Sequence, residues 1–83
     1  MLPVTFRPKQ IEGPSRVTII VSKKIDSRAV YRNRIKRLIR ESVRHLSPTG
    51  LGGICIVRKN IAHYSQKEVE IMLGGLLHET NRS

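Results

Sequence analysis

Apolar residues change their spacing repeatedly along this chain, and each change marks an element. Residues 29–46, AVYRNRIKRLIRESVRHL, put Tyr31, Ile35, Leu38, Ile39, Ser42/Val43 and Leu46 at the i, i+3, i+4, i+7 spacing of an amphipathic helix. At about 100° per residue, Asn33, Lys36, Arg37, Arg40 and Arg44 face away from that stripe. Arg32 and Arg34 fall on its flanks. Earlier, Val4 and Phe6 alternate with Thr5 and Arg7, a short strand signal. Pro3 and Pro8 bracket it and confine it to a sheet edge, because proline cannot donate to a ladder on both sides. Gly13-Pro14 predicts a turn within 11–15. Residues 16–24, RVTIIVSKK, are β-branched at most positions and predict the strongest strand, central and covered on at least one face.

Asp26 and Ser27 are suitable N-caps for the helix, and Ser47-Pro48 followed by Gly50 ends it. Leu51, Gly52 and Gly53 predict a flexible connection. Residues 54–58, ICIVR, read as a second short buried strand. A strand, a helix and another strand favour parallel pairing, with the helix as crossover. Ser65 and Glu68 fit a capping box, with Tyr64 and Val69 as its hydrophobic staple. The helix they open carries Val69, Met72, Leu73, Leu76 and Leu77 as an ordinary core stripe. Gly74-Gly75 in its middle costs about 1 kcal/mol per glycine relative to alanine. That predicts either a weakened helix or a close backbone contact.

Composition turns this pattern toward a partner. The 83 residues suit a single domain, and the 39% apolar content suits a folded one. The net charge of +10 favours phosphate-rich partners, nucleic acid or an acidic membrane surface. With no Trp, one Phe and two Tyr, base stacking on aromatics has little material, so Arg and Lys on the nucleic-acid backbone are favoured. A solvated helix face is the simplest explanation of a charge run, but such a face normally mixes signs. Here Lys36 and Arg40, Arg37 and Arg40, and Arg40 and Arg44 stack like on like, against the single acid Glu41 within 29–46. A bound polyanion accounts for that arrangement.

Catalytic material is thin. The six carboxylates, Glu12, Asp26, Glu41, Glu68, Glu70 and Glu79, are scattered, with no spacing for a metal pair or an acid/base couple. Asp26 reads as the counter-charge of Lys24. His45, His63 and His78 have no reason to converge for RNA cleavage. Cys55, the single cysteine, excludes an internal disulfide and reads as a small buried hydrophobe. No apolar stretch reaches the length of a membrane span and no signal-peptide h-region opens the chain, so the expected location is cytoplasmic, with no membrane partner and no small-molecule substrate.

One family matches these residues. Arg16-Val17, Ser22-Lys23-Lys24 and the run AVYRNRIKRLIRE at 29–41 closely resemble the bacterial ribonuclease P protein component, with its strand ending in SKK and its RNR helix. The apolar strand at 54–59 and the capped helix at 64–77 agree. The resemblance implies an α/β (α+β) two-layer sandwich with a small sheet of about three strands and two helices. It is similar to a domain of a small-subunit ribosomal protein and has a left-handed β-α-β crossover, an exception to the usual hand. It further implies a partner, the ribonuclease P RNA, which with magnesium held mainly by that RNA removes the 5′ leader from precursor tRNA. Carried over by motif, Arg32, Asn33, Arg34, Lys36, Arg37 and Arg40 face the RNA, beside Ser22, Lys23 and Lys24; Arg44 continues the same face. Members usually begin with a further helix and strand that help line a cleft for the leader, and this sequence opens at the following strand. The rival readings are an RNA- or ribosome-associated module of the same fold with no nuclease partner, and a DNA-binding helix.

Overall fold

The computed structural model describes residues 3–80, with side chains through Leu77. Three strands and two helices follow one another as β1 (Val4–Pro14), β2 (Arg16–Ile20), α1 (Ala29–Leu46), β3 (Thr49–Val57) and α2 (Gln66–Thr80). The sheet is mixed, in the order β1-β3-β2. Strand β2 pairs parallel with β3 across the α1 crossover, with Thr18 opposite Ile54 and Ile20 opposite Ile56. Strand β1 pairs antiparallel with the other edge of β3, from Val4 opposite Val57 to Gln10 opposite Leu51.

This corrects the expected layout. The segment expected to be central, 16–24, is an edge strand only five residues long, and Ser22, Lys23 and Lys24 lie in the turn that follows it. The centre belongs to β3, which absorbs the connection expected to be flexible at 51–53. Its glycines are the reason. Gly53 has φ +110°, and a Cβ there would stand 2.1 Å from the Arg7 carbonyl oxygen. Only a residue without a side chain lets β1 and β3 close at that point. The turn expected within 11–15 is displaced as well. β1 runs on to Pro14, with a register irregularity between Gln10 and Pro14.

One core fills the space between sheet and helices. Ile35, Leu38, Ile39 and Val43 of α1, Val4, Cys55 and Val57 of the sheet, and Val69 and Leu73 of α2 are all buried. Phe6, Val17, Ile19 and Tyr64 pack against them. Ser42 is also buried: its hydroxyl donates to the Leu38 carbonyl at 2.8 Å and accepts from the Gln66 side-chain amide at 2.7 Å. The same amide reaches the Leu38 carbonyl at 2.9 Å, so the first residue of α2 is latched to the middle of α1.

The capping box at α2 forms as the residues require. Ser65 N–H donates to Glu68 Oε1 at 3.0 Å, and Glu68 N–H donates to Ser65 Oγ at 3.2 Å. Hydrogen bonding from Ser65 also lowers the Glu68 carboxyl from its ordinary value. Helix α2 passes through Gly74-Gly75 without breaking. A Cβ at Gly74 would make ordinary contact with Leu46 at 3.8 Å, and one at Gly75 would meet open space. Neither glycine is there to admit a neighbouring backbone. No helix among the described residues is long and apolar enough to cross a membrane.

Candidate nucleic-acid interface

Burial of the α1 stripe decides where its cations point. With Ile35, Leu38, Ile39, Ser42 and Val43 against the core, Asn33, Arg37, Arg40 and Arg44 are exposed, and Lys36 is half-buried beside them. The four exposed side chains follow one another at intervals of four, three and four residues, a row about 16 Å long at 1.5 Å per residue. Among the described residues none of the four has a hydrogen-bond or ion-pair partner. Val30, Tyr31, Asn33, Arg34, Arg37 and Arg40 line a shallow depression over this face.

The two arginines of the RNR triplet differ from that row because each braces the fold. Arg32 Nη1 donates to the backbone carbonyls of Asp26 at 3.0 Å and Ser27 at 2.9 Å, tying the loop before the helix to its first turn. Arg34 Nε donates to the Ala62 carbonyl at 2.7 Å, fastening α1 to the loop that leads into α2. A guanidinium carries five N–H donors, so both keep donors for a second acceptor. Ser22, Lys23 and Lys24 are exposed in a turn closed by the Ile25 N–H to Ser22 carbonyl bond of 3.0 Å, from which the chain leads into the N-terminal end of α1.

Arg28 is the residue that periodicity did not single out. It occupies the N-cap of α1, with no side-chain cap bond, in place of the expected Asp26 or Ser27. Asp26 instead turns its carboxylate onto Arg28. It accepts Nε on Oδ1 and Nη2 on Oδ2, each at 3.0 Å, and the Arg28 backbone N–H at 2.9 Å. Asn60 adds a fourth donor at 3.1 Å. Arg28, not Lys24, is therefore the counter-charge. Its hydrogen bonds hold the Asp26 carboxyl far below the usual carboxylate range. The same guanidinium lies 3.9 Å from the centre of the Tyr31 ring, a cation–π contact. The signal was present in the sequence: an aspartate two residues before an arginine at a helix start permits the i to i+2 side-chain bond of an Asx turn.

Groups with catalytic potential are occupied elsewhere. Cys55 is fully buried, and burial pushes its thiol up to about 11. His45 pairs with Glu70 across the two helices, and His63 stands edge-on to Tyr64 with ring centres 5.0 Å apart. The side chain of His78 lies outside the described residues. Among the described residues no group of three or more His, Cys, Asp or Glu side chains is placed to hold a metal ion.

Comparison with known proteins agrees with this geometry. The ribonuclease P family model matches residues 2–81. A ribonuclease P protein component of Xanthomonas axonopodis pv. citri is 40% identical over 69 residues, covering 81% of this chain and 48% of that protein. The corresponding protein of Marinomonas sp. is 48% identical over 62 residues, covering 75% of this chain and 45% of the relative. The chain thus spans about half the length of the curated relatives it matches. The solved structure of the Staphylococcus aureus RNase P protein superposes with a TM-score of 0.71 at 29% identity, covering 93% of this chain and 73% of that one. With a model match over nearly its full length and the same α+β fold in a solved relative, this chain belongs to the ribonuclease P protein family.

Proposed function

We propose that this chain acts as a single RNA-binding unit, the protein subunit of ribonuclease P, gripping the catalytic RNA and assisting removal of the 5′ leader from precursor tRNA. The observation that carries the reading is the row Asn33, Arg37, Arg40 and Arg44: exposed, on one side of a helix whose other side is buried, and without protein partners among the described residues. Like charges at helical spacing repel one another, and a phosphate backbone lying along the row turns that repulsion into attraction. Lys36, the spare donors of Arg32 and Arg34, and the turn at Ser22, Lys23 and Lys24 extend the contact around the helix start. In this reading the chain binds and orients RNA and carries no catalytic group of its own. In the same proposal the magnesium that the reaction uses is held mainly by the RNA.

The test adds the purified chain to a bacterial ribonuclease P RNA and a precursor tRNA at low magnesium and follows cleavage. Faster cleavage at the 5′ leader junction is expected. Tight binding to the RNA with cleavage unchanged would instead assign the chain to RNA binding without a nuclease partner.

A further inference from the structure

Beyond the row on α1, the basic surface continues into a cleft on the side of β2. The cleft has a volume of about 370 Å³, within the range of small-ligand sites. Three arginines line it: Arg16 from the start of β2, and Arg40 and Arg44 from α1. Its apolar lining comes from Pro14, Pro48 and the half-buried Val17, with the core residue Val43 behind them. Among the described residues no carboxylate lines it and none of the three arginines has a side-chain partner. Three cations around one small cleft repel each other in the free protein, so the arrangement favours an anionic occupant.

The cleft is built in advance. Ser15 ties its two rims together: the Ser15 N–H donates to the Pro48 carbonyl at 2.9 Å, its hydroxyl donates to the Ser47 carbonyl, and the Leu51 N–H donates to that hydroxyl at 3.0 Å. The turn between β1 and β2 is thereby fixed to the turn between α1 and β3, with a proline in each wall. Arg40 lines both this cleft and the depression over the outer face of α1. A strand following the helix face is led directly into it.

We propose that this cleft receives one unstacked nucleotide of the bound RNA. Its phosphate lies among Arg16, Arg40 and Arg44, and its base lies against the proline residues and Val17. The assignment rests on the RNA-binding reading above and adds a position to it. A lone phosphate would satisfy the guanidinium groups but leave the apolar walls uncovered. A nucleotide fills both parts, its phosphate meeting the arginines and its base covering apolar surface.

The experiment follows the Val17 and Val43 methyl signals by NMR while adding, in separate titrations, a ribonuclease P RNA, adenosine 5′-monophosphate, adenosine and inorganic phosphate. Both methyl sets are expected to shift with the RNA. Shifts with the free nucleotide that exceed those with phosphate or adenosine show that the base and phosphate act together. Shifts with RNA alone place the occupant in a strand rather than free in solution. Arg16→Gln, on an exposed edge position, is expected to weaken RNA binding about fivefold to tenfold, and Arg16→Lys to recover part of that loss. RNA that binds without moving either methyl set, or inorganic phosphate that reproduces the full response, overturns the nucleotide site and leaves the helix reading standing. Absence of RNA binding overturns the reading on which both depend.

Discussion

Asp26 illustrates how much one side chain organises here. Its carboxylate closes the loop before α1 by accepting from the Arg28 backbone, the Arg28 guanidinium and Asn60. Because its pKa is depressed in the folded state, its contribution is complete above the unfolded value and is lost as pH falls toward the folded one. The window therefore opens near pH 4 and extends downward, given an unfolded value of about 3.9. Asp26→Asn is expected to be less stable than the parent near neutral pH and to lose less of its melting temperature between about pH 5 and pH 3. Parallel acid titrations of the two proteins would disprove this. Gly53 is the backbone counterpart. Gly53→Ala sets a Cβ against the Arg7 carbonyl at a φ of +110°, and a loss on the order of 2 kcal/mol or more is expected by denaturant unfolding.

Helix α1 divides its cations between two tasks, and mutation should separate them. Arg34 spans from the helix to the Ala62 carbonyl, whereas Arg37 is exposed and has no side-chain partner among the described residues. Arg34→Gln is expected to lower both the melting temperature and RNA affinity, by about 1 to 3 kcal/mol in stability for a charge-assisted bond whose acceptor is left partly buried. Arg37→Gln is expected to weaken RNA binding with stability unchanged or slightly raised, since a like-charge neighbour is removed. Equal stability losses in the two variants would contradict the division. Helix α2 plays the supporting part. Its capping box and its Gln66 latch to Leu38 and Ser42 fix the rear of α1, so that the exposed row holds its orientation.

Taken together, a charge of +10 on 83 residues is expected to make the proposed association with RNA steep in salt. If about six phosphates are neutralised, the log–log slope of RNA affinity against salt is expected near −4 to −5. A slope close to zero in a binding titration would remove the electrostatic basis of the interface. Among the described residues, Ile20 of β2 and Ile54 of β3 remain 45% and 41% exposed, whereas their neighbours Ile19 and Cys55 belong to the core side of the sheet.

Local chemistry alone determined both helices, the capping box, the parallel strand–helix–strand unit and the cationic row. Each follows from residues a few positions apart: 3.6-residue periodicity, a Ser-x-x-Glu spacing, a run of like charges. The RNR helix was legible for that reason, and so was the family. Strand order was not, because it depends on which edge of β3 each partner takes and on how closely Gly53 lets β1 approach. The roles of Arg32 and Arg34 were also hidden, since a guanidinium on a helix flank looks the same in sequence whether it meets a carbonyl 28 residues away or a phosphate. Arg16 came beside Arg40 and Arg44 only through the α1 crossover, which returns the chain alongside β2. Contacts between residues distant in sequence are set by the packing of whole elements, and only the folded chain reveals them.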